Sequence, residues 1–198
     1  MALDDTYATL ADLKAWLDLV EDEHDAALGS CLVAASRAVD RLTNRFFFQM
    51  TDTNLYSADS PFWLAIDDLV AVTALATDLD GDRVYETTWA PADYDLSPAN
   101  ADSLGWPFTV LETIPFRMQR WFPSWRRGVQ VTGVWGWPAV PDPVRQATLI
   151  YAHKLFKRAD SPLGVQAITP DAPGVVIRKR DPDADALLAP YVRALVAA

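Results

Sequence analysis

Cysteine is close to absent: Cys31 stands alone in 198 residues, so the chain cannot form an internal disulfide. Its neighbours Leu28, Leu32 and Ala35 on a predicted helix give it the place of a small buried apolar residue. Histidine is nearly as scarce. His24 and His153 have no adjacent cysteine and no His-x-x-x-His spacing, which leaves no metal triad. A Ser or Cys nucleophile would have to use one of these two histidines as its base, unless a lysine served. No Gly-x-Ser-x-Gly elbow, phosphate-binding glycine loop or dinucleotide fingerprint occurs. Apolar runs are short, none approaching the ~18 residues that a membrane span requires. The start of the chain carries Asp4 and Asp5 in place of a basic leader. There is no internal repeat and no low-complexity tract. From these absences we expect a soluble protein without an export signal of its own, folding in a reducing cytoplasm, with no enzymatic activity, cofactor or bound metal.

What is present is a core-forming chain. With 51% hydrophobic and 22% charged residues it reads as globular rather than disordered. Its length fits one domain of ~100–200 residues. The net charge of −10 is unevenly spread: residues 1–82 hold sixteen acidic and four basic side chains, residues 83–180 eight and twelve. The acidic part should face solvent, a polyanion or a basic partner. Tight nucleic-acid binding draws its affinity from phosphate neutralisation, which this balance does not supply.

Thr9 and Asp12 have the spacing of a capping box, and Leu10, Leu13, Trp16, Leu17 and Val20 recur on one face, predicting a helix over about 10–19. After an acidic link, Leu28, Leu32, Ala35, Val39, Leu42 and Phe46 trace a second stripe over about 24–45. Ala26, Ala27, Gly29, Ala34, Ala35 and Ala38 keep parts of that helix slim, which allows close approach within the chain or between subunits. The character then changes to β-branched and aromatic runs divided by Asp, Gly and Pro. Strands are predicted near 53–58, 62–66, 69–77, 83–89, 107–113 and 128–135, the third and fourth joined at Asp80 and Gly81 as a hairpin. Residues 115–127 read as a loop. Asp142 as cap, Pro143 at the first position and the apolar face Val144, Ala147, Tyr151 and Leu155 predict a helix over about 143–159. Pro162–Gly174 reads as a flexible connection, Val175–Arg178 as a strand, and Asp181–Pro182 as the start of a last helix that Pro190 should kink or split. The expected fold class is α+β: a mainly helical bundle with a β-hairpin-rich insertion (about 53–135) between the second and third long helices. Helices at about 10–45 and 143–197 would complete a single domain over residues 1–198.

Four groups of residues invite a chemical reading. Asp78, Asp80, Asp82 and Glu86 suggest calcium, but Gly81 falls between the second and third acids and Glu86 comes too early for an EF-hand loop. An Asp- and Gly-rich turn accounts for the same letters and is favoured over a weak cation site. His153 near the end of its helix fits an interaction with the helix dipole or a local partner better than catalysis. Of eight tryptophans, Trp16, Trp63 and Trp89 lie in periodic segments and read as core. Trp121 and Trp125 share an irregular basic loop with Arg117, Arg120, Arg126 and Arg127, which fits an interface as well as a solvated loop packed on its own sheet. Lys154, Lys157 and Arg158 end one helix, the arrangement its dipole favours. With Arg178, Lys179 and Arg180 they alternatively form a docking surface for an acidic neighbour.

The succession of parts carries a resemblance: YATLADLKAWL at 7–17, a long Ala-rich helix, a Thr-Asp-x-Asp-Gly-Asp hairpin, GVQVTGVWGWPAVPDPV at 128–144 and DPDADALLAPY at 181–191. In that order they resemble the head-to-tail adaptor (connector) proteins of long-tailed bacteriophages, prophages and related gene transfer agents, from Tyr7 to Leu195. None of these motifs is a chemical signature. The resemblance implies a non-enzymatic virion protein of the neck, made in the host cytoplasm and assembled as a ring, usually dodecameric, beneath the portal. Its partners would be the portal protein, a downstream head-completion or tail protein, and further copies of itself. DNA would pass through without specific binding, and neither membrane nor cofactor would be involved. In such a ring the acidic helical half of one copy would meet the basic clusters at 154–158 and 178–180 of the next. The competing readings are a Trp-rich carbohydrate- or protein-binding module with exposed coplanar aromatics, and a small hydrolase with a pocket around His24 or His153.

The charge balance generates a first prediction. At physiological salt the isolated protein should leave duplex DNA unshifted in a gel, because its acidic field outweighs its basic clusters. Tight, salt-sensitive retention of DNA would contradict it.

Overall fold

The computed structural model describes residues 6–114, 121–159, 165–166, 175–176 and 181–194. The chain divides into two compact units, Met1–Phe46 with Val140–Ala198, and Phe47–Ala139.

In the first unit, α1 (Leu10–Leu17) opens on its capping box: the Asp12 N–H donates to the Thr9 hydroxyl and the Thr9 N–H to the Asp12 carboxylate, both at 3.1 Å. Asp18 ends it in the left-handed region after two turns. So short a helix buries only Leu13, the centre of the stripe; Trp16, expected in the core, is 46% exposed, and Val20 lies beyond the helix. Before α1, Tyr7 is buried, its hydroxyl donating to Asp40, its N–H to the Ser36 hydroxyl, and its ring lying under Arg37.

Along α2 (Asp25–Thr43), Leu28, Leu32, Ala35 and Val39 are fully buried, each leucine contributing about 1.5–3 kcal/mol. The buried hydroxyls of Ser36 and Thr43 donate to the Leu32 and Val39 carbonyls at 2.9 Å, so neither is left without a partner. Of the small residues, Gly29 and Ala35 are buried, whereas Ala26, Ala27 and Ala34 are exposed. Cys31 is half-buried rather than buried, and burial pushes its thiol pKa up.

Helix α3 (Asp142–Ala159) packs along α2 with Val144, Ala147 and Ala152 fully buried. It starts one residue earlier than the Asp142 cap implied: the Arg145 N–H reaches the Pro141 carbonyl (3.0 Å), placing Asp142 inside the helix. Within the stretch read as a flexible connection, Val165–Gln166 pairs antiparallel with Val175–Val176. Helix α4 (Pro182–Leu188) opens on Asp181, and Pro190 diverts its end into a 3-10 turn, Ala189–Tyr191. The Arg193 N–H then donates to the Thr43 carbonyl (2.8 Å), while the Asn44 side chain donates to the Arg193 carbonyl (3.1 Å), tying the tail to the end of α2.

The second unit is one antiparallel sheet. Strands β1 (Met50–Tyr56), β2 (Trp63–Thr77), β3 (Thr87–Trp89), β4 (Tyr94–Ser97), β5 (Phe108–Thr113) and β6 (Val129–Trp135) run in the order β1-β6-β2-β5-β4, with β3 also beside β2. The strands expected at 62–66 and 69–77 are a single strand. Asp67 and Asp68, which look like a break, form an irregularity between the Ala65–Val110 and Leu69–Phe108 pairs. Asp67 accepts the Tyr56 hydroxyl (3.0 Å), and the buried Asp68 accepts the Trp137 indole N–H (3.0 Å). Because β2 pairs with three partners, the insertion is a continuous sheet with its own core, and the fold is mixed α+β rather than a mainly helical bundle. Strand β4 was not anticipated: it is four residues long and its pattern is masked by Asp93, Asp95 and Pro98. The hairpin at Asp80–Gly81 does join β2 to β3, through a wider loop over 78–86.

Leu64, Ile66, Leu69, Leu75, Leu111, Val129 and Val131 fill this core. Trp89, Trp135 and Trp137 are buried with their indole N–H groups donated to the Thr77 hydroxyl, the Asp52 carbonyl and the Asp68 carboxylate. Trp63, read as core, points outward and is 45% exposed. At Gly136 the chain adopts φ +106°, its N–H donates to the Asp68 carbonyl (2.8 Å), and an added Cβ would lie 2.0 Å from the Phe48 carbonyl oxygen. Beside it the Gln49 side-chain amide donates to the Pro138 carbonyl (2.9 Å), so the two ends of the insertion meet.

Gly136→Ala should therefore cost about 3 kcal/mol, combining left-handed backbone strain with a collision against backbone. Urea unfolding followed by tryptophan fluorescence checks this; an unchanged midpoint would show that Phe48 yields freely.

Candidate interface surfaces

The irregular segment after residue 120 is anchored and exposed at once. Phe122 is buried, stacks on Trp89 with ring centroids 4.9 Å apart, and donates its N–H to the Pro61 carbonyl (2.9 Å). Arg127, at φ +58°, donates its N–H to the Ser57 hydroxyl (2.9 Å) and accepts the Tyr85 hydroxyl at its carbonyl (2.7 Å). The Trp125 ring lies close over Gly128, where an added Cβ would sit 3.0 Å from it. On this footing Trp121 (55% exposed), Trp125 (40%), Arg126 and Arg127 present their side chains to solvent. The loop's backbone packs on its own sheet, while its aromatic and basic tips are exposed. Arg117 and Arg120 lie outside the described residues.

The basic residues of α3 are divided in role. Lys154 is half-buried and bonds the Asp181 carboxylate at 3.0 Å, so it holds the start of α4. The same carboxylate accepts the Asp183 N–H at 3.1 Å, and the Tyr151 hydroxyl donates to Asp185 at 2.6 Å. The hydrogen bond from Lys154 holds the Asp181 carboxyl below its ordinary pKa. Lys157 is exposed and Arg158 half-buried. Arg178, Lys179 and Arg180 fall outside the described residues.

The remaining chemistry-bearing residues have structural explanations. Burial pushes the Asp78 carboxyl up, but N–H bonds from Gly81, Arg83 and Asp80 outweigh it and its pKa falls below the ordinary value. Asp78, Asp80 and Glu86 bring carboxylate oxygens within 4.8 Å of one another, yet Asp78 accepts backbone N–H bonds at both oxygens and shapes the 78–86 turn. His153 lies six residues before the end of α3, beyond reach of the dipole; burial, then the charge of Lys157, lowers its pKa. His24 precedes α2 and meets the Phe156 ring edge-on at 5.6 Å. The clefts bordered by Asp25, Ala26 and Val33 and by Tyr7, Asp12 and Arg145 include neither histidine. Sequence reasoning passed over one outward row of the sheet, Trp63, Glu112 and Asp95, side by side on β2, β5 and β4. Alternation along β5 was the signal available, but it needed the register with β4.

No protein-family model matches the chain, and no curated protein matches it. Solved structures do. The chain is similar to one in the neck of an empty gene transfer agent (GTA) particle computed with C6 symmetry, with TM-score 0.59, 20% identity, and coverage of 100% of this chain and 95% of that one. It is similar also to a chain in the neck of a native GTA particle computed with C12 symmetry, with TM-score 0.56, 21% identity, and coverage of 100% and 94%. The chain has the fold of a GTA neck component. A third likeness, to a chain in the virion of a native GTA particle, has TM-score 0.51 and 23% identity, covering 100% and 95%. No helix among the described residues is long and apolar enough to cross a membrane.

The Lys154–Asp181 contact carries a pH signature. Because Asp181 is depressed in the folded state, its stabilisation is present above the unfolded carboxyl pKa of about 4 and is lost as pH falls through the folded value. Asp181→Ala should cost about 1 kcal/mol at pH 7, and the difference from the native chain should shrink in acid. Urea unfolding across pH 2–7 tests this; a pH-independent difference would contradict it.

Proposed function

We propose that this protein is a structural component of a particle neck, forming a ring beneath the portal that continues the DNA channel and joins the head to the tail. The observation that carries the reading is the likeness of fold to GTA neck chains over the whole of this chain. Both necks were computed with cyclic symmetry, the symmetry of a closed ring of equivalent copies. An acidic chain suits a channel that DNA must traverse without being held. Its partners are the portal protein, a downstream head-completion or tail protein, and other copies of itself, and its role is assembly rather than catalysis. The whole chain, helical unit and sheet unit together, acts as one adaptor, made in the bacterial cytoplasm and carried in the virion neck.

Trp121, Trp125, Arg126 and Arg127 supply contact surface from the sheet unit, and Lys157 and Arg158, with Arg178, Lys179 and Arg180, from the helical unit. Lys154 supports them by holding α4. A carbohydrate-binding role is less well supported: the exposed tryptophans are split between units, Trp16 in the helical unit and Trp63, Trp106, Trp121 and Trp125 in the sheet unit.

Co-expression with the portal protein encoded nearby, followed by electron microscopy, tests the reading. Rings of cyclic symmetry, expected to be twelve-fold, should sit on one face of the portal. A chain that remains monomeric and fails to bind assembled portal would overturn the proposal.

A further inference from the structure

Trp63 on β2 stands in register with Glu112 on β5, and Glu112 with Asp95 on β4. Glu112 and Asp95 are therefore like charges directly opposite each other, an arrangement that weakens a sheet unless a cation offsets it. Both are exposed, and neither has an ion-pair or hydrogen-bond partner among the described residues. Trp63 (45% exposed) and Phe62 (60%) border the same cleft, of about 650 Å³. Two carboxylates beside an exposed indole form a receptor for a guanidinium, which can bond the oxygens and lie against the ring.

The matching group stands elsewhere on the same unit. Arg126 and Arg127 are exposed without an ion-pair partner among the described residues, beside the exposed Trp125. The Arg127 backbone is held by the Ser57 and Tyr85 hydrogen bonds, which anchor the loop that presents both arginines. Among the described residues no ion pair joins the two patches within one chain.

We propose that the Trp63, Asp95 and Glu112 row of one copy receives Arg126 and Arg127 of the next copy. The inference rests on the ring reading and assigns that ring a contact between sheet units. Each patch repels its own kind and attracts the other, so the pairing is heterologous, as a head-to-tail ring requires. The aromatic residues at both patches exclude water around the charges.

Cysteine pairs test the contact. In a Cys31→Ala background, Glu112→Cys combined with Arg126→Cys should give, on oxidation of assembled rings, a ladder of covalent multiples that collapses with reductant. Either cysteine alone should give nothing beyond dimers. Independently, Glu112→Arg should disperse the rings, and adding Arg126→Glu with Arg127→Glu should restore them. Intact rings that yield no ladder and withstand Glu112→Arg would overturn this contact while leaving the ring reading in place. Absence of rings from the unaltered chain with its portal would overturn both.

Discussion

The sheet unit depends on a close approach of backbone at Gly136, where no side chain can be accommodated. Its N–H is taken by the Asp68 carbonyl, and the space a Cβ would fill is occupied by the Phe48 carbonyl. That approach brings the returning chain against the irregular middle of β2 and, one residue later, places the Trp137 indole on the Asp68 carboxylate. A buried carboxylate without such a donor would be costly. The result is an insertion whose ends coincide, so α2 and α3 can pack with little conformational restriction imposed by the long segment between them.

Burial separates two groups among the tryptophans of the sheet unit. Trp89, Trp135 and Trp137 bury large rings and donate to Thr77, Asp52 and Asp68, which makes each a fixed point of the sheet core. Trp63 and Trp125 instead stand exposed on the same unit beside Glu112 and Arg126, and Trp121 is exposed as well. Under the proposed neck function, this second group would supply area at low conformational-entropy cost, and the adjacent charges would set which neighbour and which orientation fit.

Much of the helical unit was legible because its determinants are local: the Thr9 capping box, the α2 stripe, Asp181 before Pro182 and the interruption at Pro190 all act within a turn or two. The GVQVTGVWGW strand was legible by alternation, as β6 shows. What escaped depends on partners distant in sequence. Asp67 and Asp68 read as a strand break because nothing nearby reveals Tyr56 and Trp137 as their partners. Periodicity placed Trp16 and Trp63 on apolar stripes, but a stripe does not reveal how far its covering surface extends. Lys154 read as a helix-end charge or part of a docking surface because Asp181, 27 residues later, is joined to it only by the packing of α4 on α3.

The discontinuity of the helical unit has a consequence for biosynthesis. Its core combines α1 and α2 from one end of the chain with α3 and α4 from the other, whereas the sheet unit is complete by Ala139. On the ribosome the sheet unit can therefore close first. At ~5–20 residues per second, the apolar face of α2 stays uncovered for roughly 5–20 s while the insertion and then α3 are made. Leu28, Leu32 and Val39 are the surface a nascent-chain chaperone would meet in that interval, and early closure of the insertion shortens the search by which α3 finds them.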